Sequence, residues 1–331
     1  MTEYLLFCGI DIAALSASVA IGKSLNDEFR LLDIQQTPHE HQKLHNRLKR
    51  YSASAPETLV VMEATGTYWM NLALYLSRHD YVVSVINPST AYHFAKSMLK
   101  RDKNDPLDAK TLLELGMLHH AQLPIWREPP AVYEAIHQRL TQRDAFVHMK
   151  VQTQNRSHAL AHRTAQIDAV DQRSDDLIAY LEDQIACVER ELEHLYLADH
   201  EWSLSAQRLL SIKGIGIVTA GWILVATQNF QTFDTAEQAA SFAGLVPRQR
   251  QSGTSLKGKH EIGHAGHARL RRAMFVAAKS AAQHNPHIKP FYKRLKNKGK
   301  LGNVATIAVA RKLMNICWAC VKYERMYDPN Y

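Results

Sequence analysis

Apolar residues run in short blocks through the first third of the chain and recur at helical spacing after it. YLLFCGID (4–11) is a continuous apolar run that ends on a carboxylate. SASVAIGK (16–23) and FRLLDIQQT (29–37) follow after brief polar breaks. Blocks of this length predict three successive strands, arranged as a meander. EHQKLHNRLKRY (40–51) has the spacing of a polar amphipathic helix. TLVVMEA (58–64) reads as a buried strand, TYWMNLALYLSRH (67–79) as a helix and YVVSVINP (81–88) as another strand. KRDKNDPLDAKTLLELG (100–116) opens a helix at Asp105, with Pro106 suited to the first helical position. Three strands followed by alternating helices and strands predict a mixed sheet with helices on its faces.

From Pro130 to about Leu197 the chain has neither proline nor glycine. Two helical segments are expected there, with a polar break near TAQIDAVDQRSDD (164–176). The second carries Ile178, Leu181, Ile185, Val188, Leu192 and Leu195 in heptad steps. That seam covers under three heptads, so it pairs either with the preceding helix in an antiparallel hairpin or between protomers. LLSIKGIGIVTAGWILVAT (209–227) sets Gly214 and Gly216 between two apolar helical stretches. The pattern resembles a helix-hairpin-helix motif, whose turn can present backbone N–H groups to a phosphate; an ordinary helical hairpin is the plain alternative. The pattern divides the chain into an α/β domain at 1–128, a helical coiled-coil spacer at 129–205 and a mainly helical domain at 206–331.

Charge changes this picture in one region. The chain of 331 residues is 46% hydrophobic, with 40 Lys and Arg against 32 Asp and Glu and a net charge of +8. Between 248 and 300 there are 14 cations, among them Arg248, Arg250, Lys257, Lys259, Arg269, Arg271 and Arg272, and one acid, Glu261. A solvated surface mixes both signs, so a one-sign run of this size points to a polyanion. Histidines in HEIGHAGH (260–267) would suit a metal, but the surrounding cations argue against one. Cys317 and Cys320 form a lone CxxC in an apolar helical pattern and read as small core residues, since no second ligand pair matches them. No signal peptide is expected at the start and no apolar run is read as reaching membrane-spanning length, so a cytosolic, reduced setting is expected.

The candidate chemistry rests on four acids. Asp11 and Glu63 end the first and fourth predicted strands, which can be neighbours in such a sheet. Carboxylates converging there repel one another unless a cation lies between them. Asp105 and Asp108 share a face of the next helix, although acids in a first turn are also explained by the helix dipole. Four acids in the order Asp–Glu–Asp–x–x–Asp can hold two Mg²⁺ ions for phosphodiester chemistry. The layout looks like the ribonuclease-H-like fold of the Holliday-junction resolvase (RuvC-like) type. An actin-like or sugar-kinase ATPase also opens on such a strand, but it needs a second glycine-rich phosphate loop. EATGTY (63–68) is the best, weak candidate in a chain of 14 glycines.

GID with Asp11, MEATGTYW with Glu63, VINP (85–88) and KNDPLDAK with Asp105 and Asp108 resemble the DEDD transposases of the insertion-sequence one-ten family. SIKGIG (211–216), FAGLVPRQRQSGTS (242–255) and GHARLRRAMF (266–275) extend the resemblance in order over nearly the whole chain. The resemblance implies an enzyme of DNA transposition and recombination that cuts and rejoins the strands of an insertion sequence. It implies a resolvase-like nuclease domain joined through a coiled coil to a transposase domain with a catalytic serine. Ser252, directly before Gly253, matches that serine, and Thr254 and Ser255 are the neighbouring hydroxyls. Family members take a structured non-coding bridge RNA that chooses donor and target DNA. They work as dimers or tetramers in which acids of one protomer can meet the serine of another. A bacterial, nucleoid-associated cytoplasmic location with no membrane partner follows. One departure is local: where members often carry Ser-Lys after the isoleucine matching Ile262, this chain has Gly263-His264. Two rival functions are a hydrolytic Holliday-junction-type resolvase, with Ser252 only touching DNA, and a non-catalytic nucleic-acid-binding scaffold.

Overall fold

The computed structural model describes residues 4–51, 53–64, 66, 68–98, 105–164, 167–231, 233–247, 251–252, 256–257 and 266–329, with the backbone alone at 89, 105–107, 251–252 and 256–257. They form two compact units, Met1–Glu128 and Pro129–Tyr331.

The first unit opens with β1 (Leu6–Ile12), β2 (Ser16–Gly22) and β3 (Arg30–Gln35), then α1 (Pro38–Leu48) and β4 (Thr58–Glu63). It continues with α2 (Met70–Ser77), β5 (Val82–Ile86), α3 (Pro88–Ser97) and α4 (Asp105–His119). The sheet order is β3-β2-β1-β4-β5. β2 runs antiparallel to β1 and β3, while β1, β4 and β5 are parallel. The expected mixed sheet is therefore present, and its first and fourth strands are neighbours.

Alternation along the strands sorts the side chains onto two faces. Leu6, Cys8, Ile10 and Ile12 of β1 join Val60 and Met62 of β4 in a core with Leu44 and Leu48 of α1 and Leu72 of α2. Phe7 joins Leu59 and Val61 against Ala109, Leu112 and Leu113 of α4 on the other face. Gly9 lies on that second face, and a Cβ there would fall on the Ala109 carbonyl and the Leu113 backbone nitrogen. The missing side chain lets α4 rest directly on β1. Gly116 repeats the close approach two turns later, where a Cβ would stand 2.9 Å from Val61 Cγ2.

The second unit begins with α5 (Ala131–Ala161) and α6 (Asp168–Leu195). The break between them is shorter than expected, because Asp168 and Asp171 lie in the first turn of α6. Acids there complement the helix dipole, which is why a polar stretch continues the helix. Arg139–Glu191 at 3.0 Å, Arg143–Glu189 at 2.7 Å and Lys150–Glu182 at 3.4 Å run in opposite chain directions, so the pair is an antiparallel hairpin. The seam residues Leu181, Ile185, Val188 and Leu192 are buried.

α7 (His200–Leu210), α8 (Ile217–Thr227) and α9 (Ala236–Phe242) follow, then two short strands, β6 (Gln251–Ser252) and β7 (Leu256–Lys257). α10 (Ala268–His284), α11 (Ile288–Asn297) and α12 (Gly302–Lys322) complete the unit. Their core contains Trp202, Phe230, Leu270, Met274 and Leu313. Tyr196, just past α6, donates its hydroxyl to the Ile217 carbonyl at 2.6 Å. Gly221 leaves room for that ring, tying the hairpin to α8.

α12 corrects one expectation. This 21-residue helix is long and apolar enough to cross a membrane by length and composition, with a mean hydropathy of 1.4 over an 18-residue window. It is a core helix here, burying Val309, Leu313, Met314, Cys317 and Cys320. Burial pushes the Cys317 and Cys320 thiols up, as expected of small core residues.

Candidate active site and nucleic-acid interface

Strand register brings the first two acids together. Ile10 of β1 pairs with Met62 of β4, so the next residues, Asp11 and Glu63, leave adjacent parallel strands side by side. Neighbouring strands lie about 4.8 Å apart. Both acids follow the alternation onto the face that carries α4, and both are half-buried. Because Gly9 seats Ala109 on β1, the first turn of α4 lies at the same end of the sheet as Asp11. Asp108 is half-buried in that turn and Asp105 begins it. The backbone therefore places all four acids on one face and at one end of the sheet. Asp105 contributes only its backbone to the described structure. Among the described residues no three His, Cys, Asp or Glu groups are grouped to hold a metal ion.

Sequence reasoning missed a neighbour of this site. Ser18 pairs with Asp11 across β1 and β2, and Asp33 pairs with Ser18 across β2 and β3. The Ser18 hydroxyl donates to Asp33 at 2.6 Å. This polar pair shares the face of Asp11. Only the register reveals it, since nothing in SASV or LLDI marks either residue.

Ser252 belongs to a strand ladder. β6 and β7 pair antiparallel, with Gln251 opposite Lys257 and Ser252 opposite Leu256. QSGTSLKGK thus contains a hairpin, and Ser252 and Lys257 have their backbones in it. Arg248, Arg250, Lys259, Thr254 and Ser255 lie outside the described residues, as do Ile262, Gly263 and His264. The segment containing the hairpin is held at its exit: the His267 N–H donates to the Phe242 carbonyl at 2.7 Å. His267 also caps α10, its Nδ1 accepting from the Leu270 N–H at 3.1 Å. Burial holds its pKa below the ordinary histidine value, helped by nearby Arg269 and His137. The ring is therefore a neutral structural cap, another residue the sequence did not reveal.

The candidate phosphate-binding residues divide by environment. Arg269 stacks over Trp222 at 5.3 Å and donates to the Thr141 hydroxyl at 3.0 Å, so α5 and α8 fix its position. Arg271 is half-buried, and Arg272 is exposed on α10. Gly214 adopts φ +109°, and a Cβ would lie 2.6 Å from Ala281 Cβ. Its glycine is explained by packing of the turn on α10. Gly216 faces open space and precedes α8 without a side-chain cap. Asn285 braces the same turn: fully buried, it donates to the Lys213 carbonyl and accepts from the Ile288 N–H and the Tyr327 hydroxyl. Asn285→Ala strips partners from several buried groups at once. It is expected to lower stability by roughly 2–4 kcal/mol, checked by the midpoint of urea unfolding.

Comparison with known proteins identifies the family. Residues 8–165 match the family model described as Transposase, of the DEDD type, and residues 206–293 match Transposase IS116/IS110/IS902 family. The chain is 32% identical to a pilin gene-inverting protein of Moraxella bovis over 270 residues, 81% of each chain. It is 28% identical to the transposase for insertion sequence element IS1328 of Yersinia enterocolitica over 305 residues, covering 82% of this chain and 86% of the relative. A probable family 20 transposase of Pseudomonas aeruginosa is 25% identical over 330 residues, covering 88% and 93%. A ribonuclease-H-like DEDD domain followed by a mainly helical transposase domain makes this chain a member of the IS110/IS116/IS902 transposase family, enzymes of DNA strand cleavage and transfer.

Proposed function

We propose that the chain cuts and rejoins DNA strands through a phosphoserine intermediate, with Ser252 as nucleophile and Asp11, Glu63, Asp105 and Asp108 as the acidic site that assists it. The register that aligns Asp11 with Glu63 on the α4 face carries the acidic half. Like charges in adjacent strand positions fit a site that takes a divalent cation, and oxygen-only donors suit Mg²⁺. When bound, two Mg²⁺ ions supply Lewis acidity and offset charge on the reacting phosphate. Asp11, Glu63, Asp105 and Asp108 would hold those ions, their hard oxygens favouring Mg²⁺ over softer metals. The serine half is supported by the backbone ladder at Ser252 and by the cations flanking it in sequence.

The chemistry balances without an energy-rich cofactor. Ser252 Oγ loses its proton as it bonds to phosphorus, and the bond from phosphorus to a deoxyribose oxygen breaks. That oxygen takes up a proton. The count of phosphoester bonds is unchanged, so a hydroxyl on a second strand can displace the serine and rejoin DNA. Arg248, Arg250, Lys257 and Lys259 are the cations that would neutralise the crowded phosphate, as an isolated serine is a poor nucleophile. Gly214, Gly216, Arg269, Arg271 and Arg272 would contact the backbone of DNA or of a guiding bridge RNA. Multimers fit the exposed apolar residues on the outer half of the α5–α6 hairpin, Ile167 and Tyr180 among them, at 63% and 59% exposure.

The Moraxella relative's name favours a second outcome of the same chemistry, inversion of a DNA segment in place of transposition. Sequencing the junctions made in cells that carry the gene separates the two. Asp11→Asn and Glu63→Gln are each expected to lose divalent-dependent strand cleavage by roughly 10²- to 10⁴-fold while circular dichroism stays unchanged. Cleavage at the wild-type rate in both folded variants would remove the acidic site from the mechanism.

A further inference from the structure

The first unit has a polar concavity on the sheet face opposite the carboxylates. A cavity of about 190 Å³ is lined by Ile21, Arg30, Arg47, Arg50 and Tyr51. Ile21 of β2 pairs with Arg30 of β3, and Ile21 also pairs across β2 and β1 with Cys8. Asp11 is three residues farther along β1, roughly 10 Å by strand rise, and points to the other face. The cavity is therefore separate from the acidic site.

Three exposed guanidinium groups come to it from β3 (Arg30), the last turn of α1 (Arg47) and the turn that follows it (Arg50). None of the three makes an ion pair with a carboxylate among the described residues. Arg47 lies close enough to Glu40 to help hold that carboxyl low, but Glu40 pairs with Lys43 at 2.6 Å. Cations at a helix C-terminus also complement its dipole. That accounts for Arg47 and leaves Arg30, on an edge strand, unexplained. Bringing like charges together in an open cavity costs repulsion, and an anion with several oxygens relieves it. Guanidinium groups match phosphate oxygens in geometry and charge.

We infer that Arg30, Arg47 and Arg50 bind a backbone phosphate of a polynucleotide, with the Tyr51 ring beside it, as an anchor remote from the acidic site. The site is open and its arginines are exposed, so it suits one contact in a long polyanion better than capture of a small free phosphate. The inference goes beyond the phosphoserine reading and does not depend on it.

Affinity against NaCl concentration tests it, using the full-length chain with Asp11→Asn to suppress cleavage. The probes are a labelled DNA duplex and a labelled RNA stem-loop of arbitrary sequence. Arg47→Gln with Arg50→Gln is expected to reduce the magnitude of the log–log salt slope by about 1 for the polynucleotide that occupies the site, near the value for one phosphate contact. Arg127→Gln with Arg190→Gln removes the same charge elsewhere and is expected to leave the slope unchanged. A reduced slope for DNA, RNA or both supports the anchor and identifies its source. Unchanged slopes for both probes, or an equal change in the charge-matched control, overturn it. Ultraviolet cross-linking supplies a local readout: a nucleotide adduct on the peptide that contains Tyr51 supports the site, and adducts confined to other peptides contradict it.

Discussion

Ser252→Ala is expected to abolish the protein–DNA adduct and to reduce strand exchange by roughly 10³-fold or more, the scale seen when a covalent nucleophile is removed. The reason is chemical. A methyl group cannot bond to phosphorus, and a strand cut by water keeps no link from which it can be rejoined. The hairpin offers a control within the same loop. Ser252 pairs with Leu256 through the backbone, and alanine preserves that pairing. Binding of DNA should therefore survive. Thr254→Ala and Ser255→Ala test the neighbouring hydroxyls, and each is expected to retain the adduct. Denaturing gels of labelled DNA read all three variants. An adduct of wild-type yield from Ser252→Ala would move the nucleophile to Thr254 or Ser255.

Gly9→Ala is the second large effect, although residue 9 has no reactive group. Its Cβ would overlap the Ala109 carbonyl and the Leu113 backbone. Backbone cannot rotate away as a side-chain tip can, so α4 must shift along much of its length. Overpacking of this kind costs roughly 1–3 kcal/mol and sometimes more. The functional loss should exceed the stability loss, because α4 carries Asp105 and Asp108. A displacement of roughly 1 Å at a reacting centre can cost 10²-fold in rate. Thermal unfolding and divalent-dependent cleavage measured on one preparation separate the two effects. Gly302→Ala is the comparison: nothing lies within 4 Å of its added Cβ, so stability and cleavage should both hold. If Gly9→Ala cleaves DNA as the wild type does, close seating of α4 is irrelevant to the site.

The two glycines show what a sequence discloses. The strands of the first unit were legible because their apolar blocks are short and end at polar breaks. Their order let Asp11 and Glu63 be matched as neighbours. The reason Gly9 must be glycine was not legible, since it depends on which helix crosses which strand. Ser18 and Asp33 stayed hidden for the same reason, as register is a tertiary property. Gly214 was visible as a turn residue, but its role in admitting Ala281 required α10 in place. The start of α6 at Asp168 was obscured because acids that favour a helix N-terminus also look like a polar break. α12 shows the opposite difficulty: its composition suits a membrane or a core, and only its burial against the other helices distinguishes them. The order of motifs made the family readable, whereas the serine ladder and the His267 cap emerged from the fold.

In the reaction proposed for this chain, the acidic face and Ser252 act together in one covalent step. The most direct measurement is the yield of detergent-resistant protein–DNA adduct from the wild-type chain, with Mg²⁺ and then with the metal removed by chelation. The account predicts an adduct that forms with Mg²⁺, is lost on chelation and maps by peptide sequencing to Ser252. Mg²⁺-dependent cleavage that leaves free phosphate and hydroxyl ends, with no adduct at any time point, would contradict it and identify a hydrolytic resolvase.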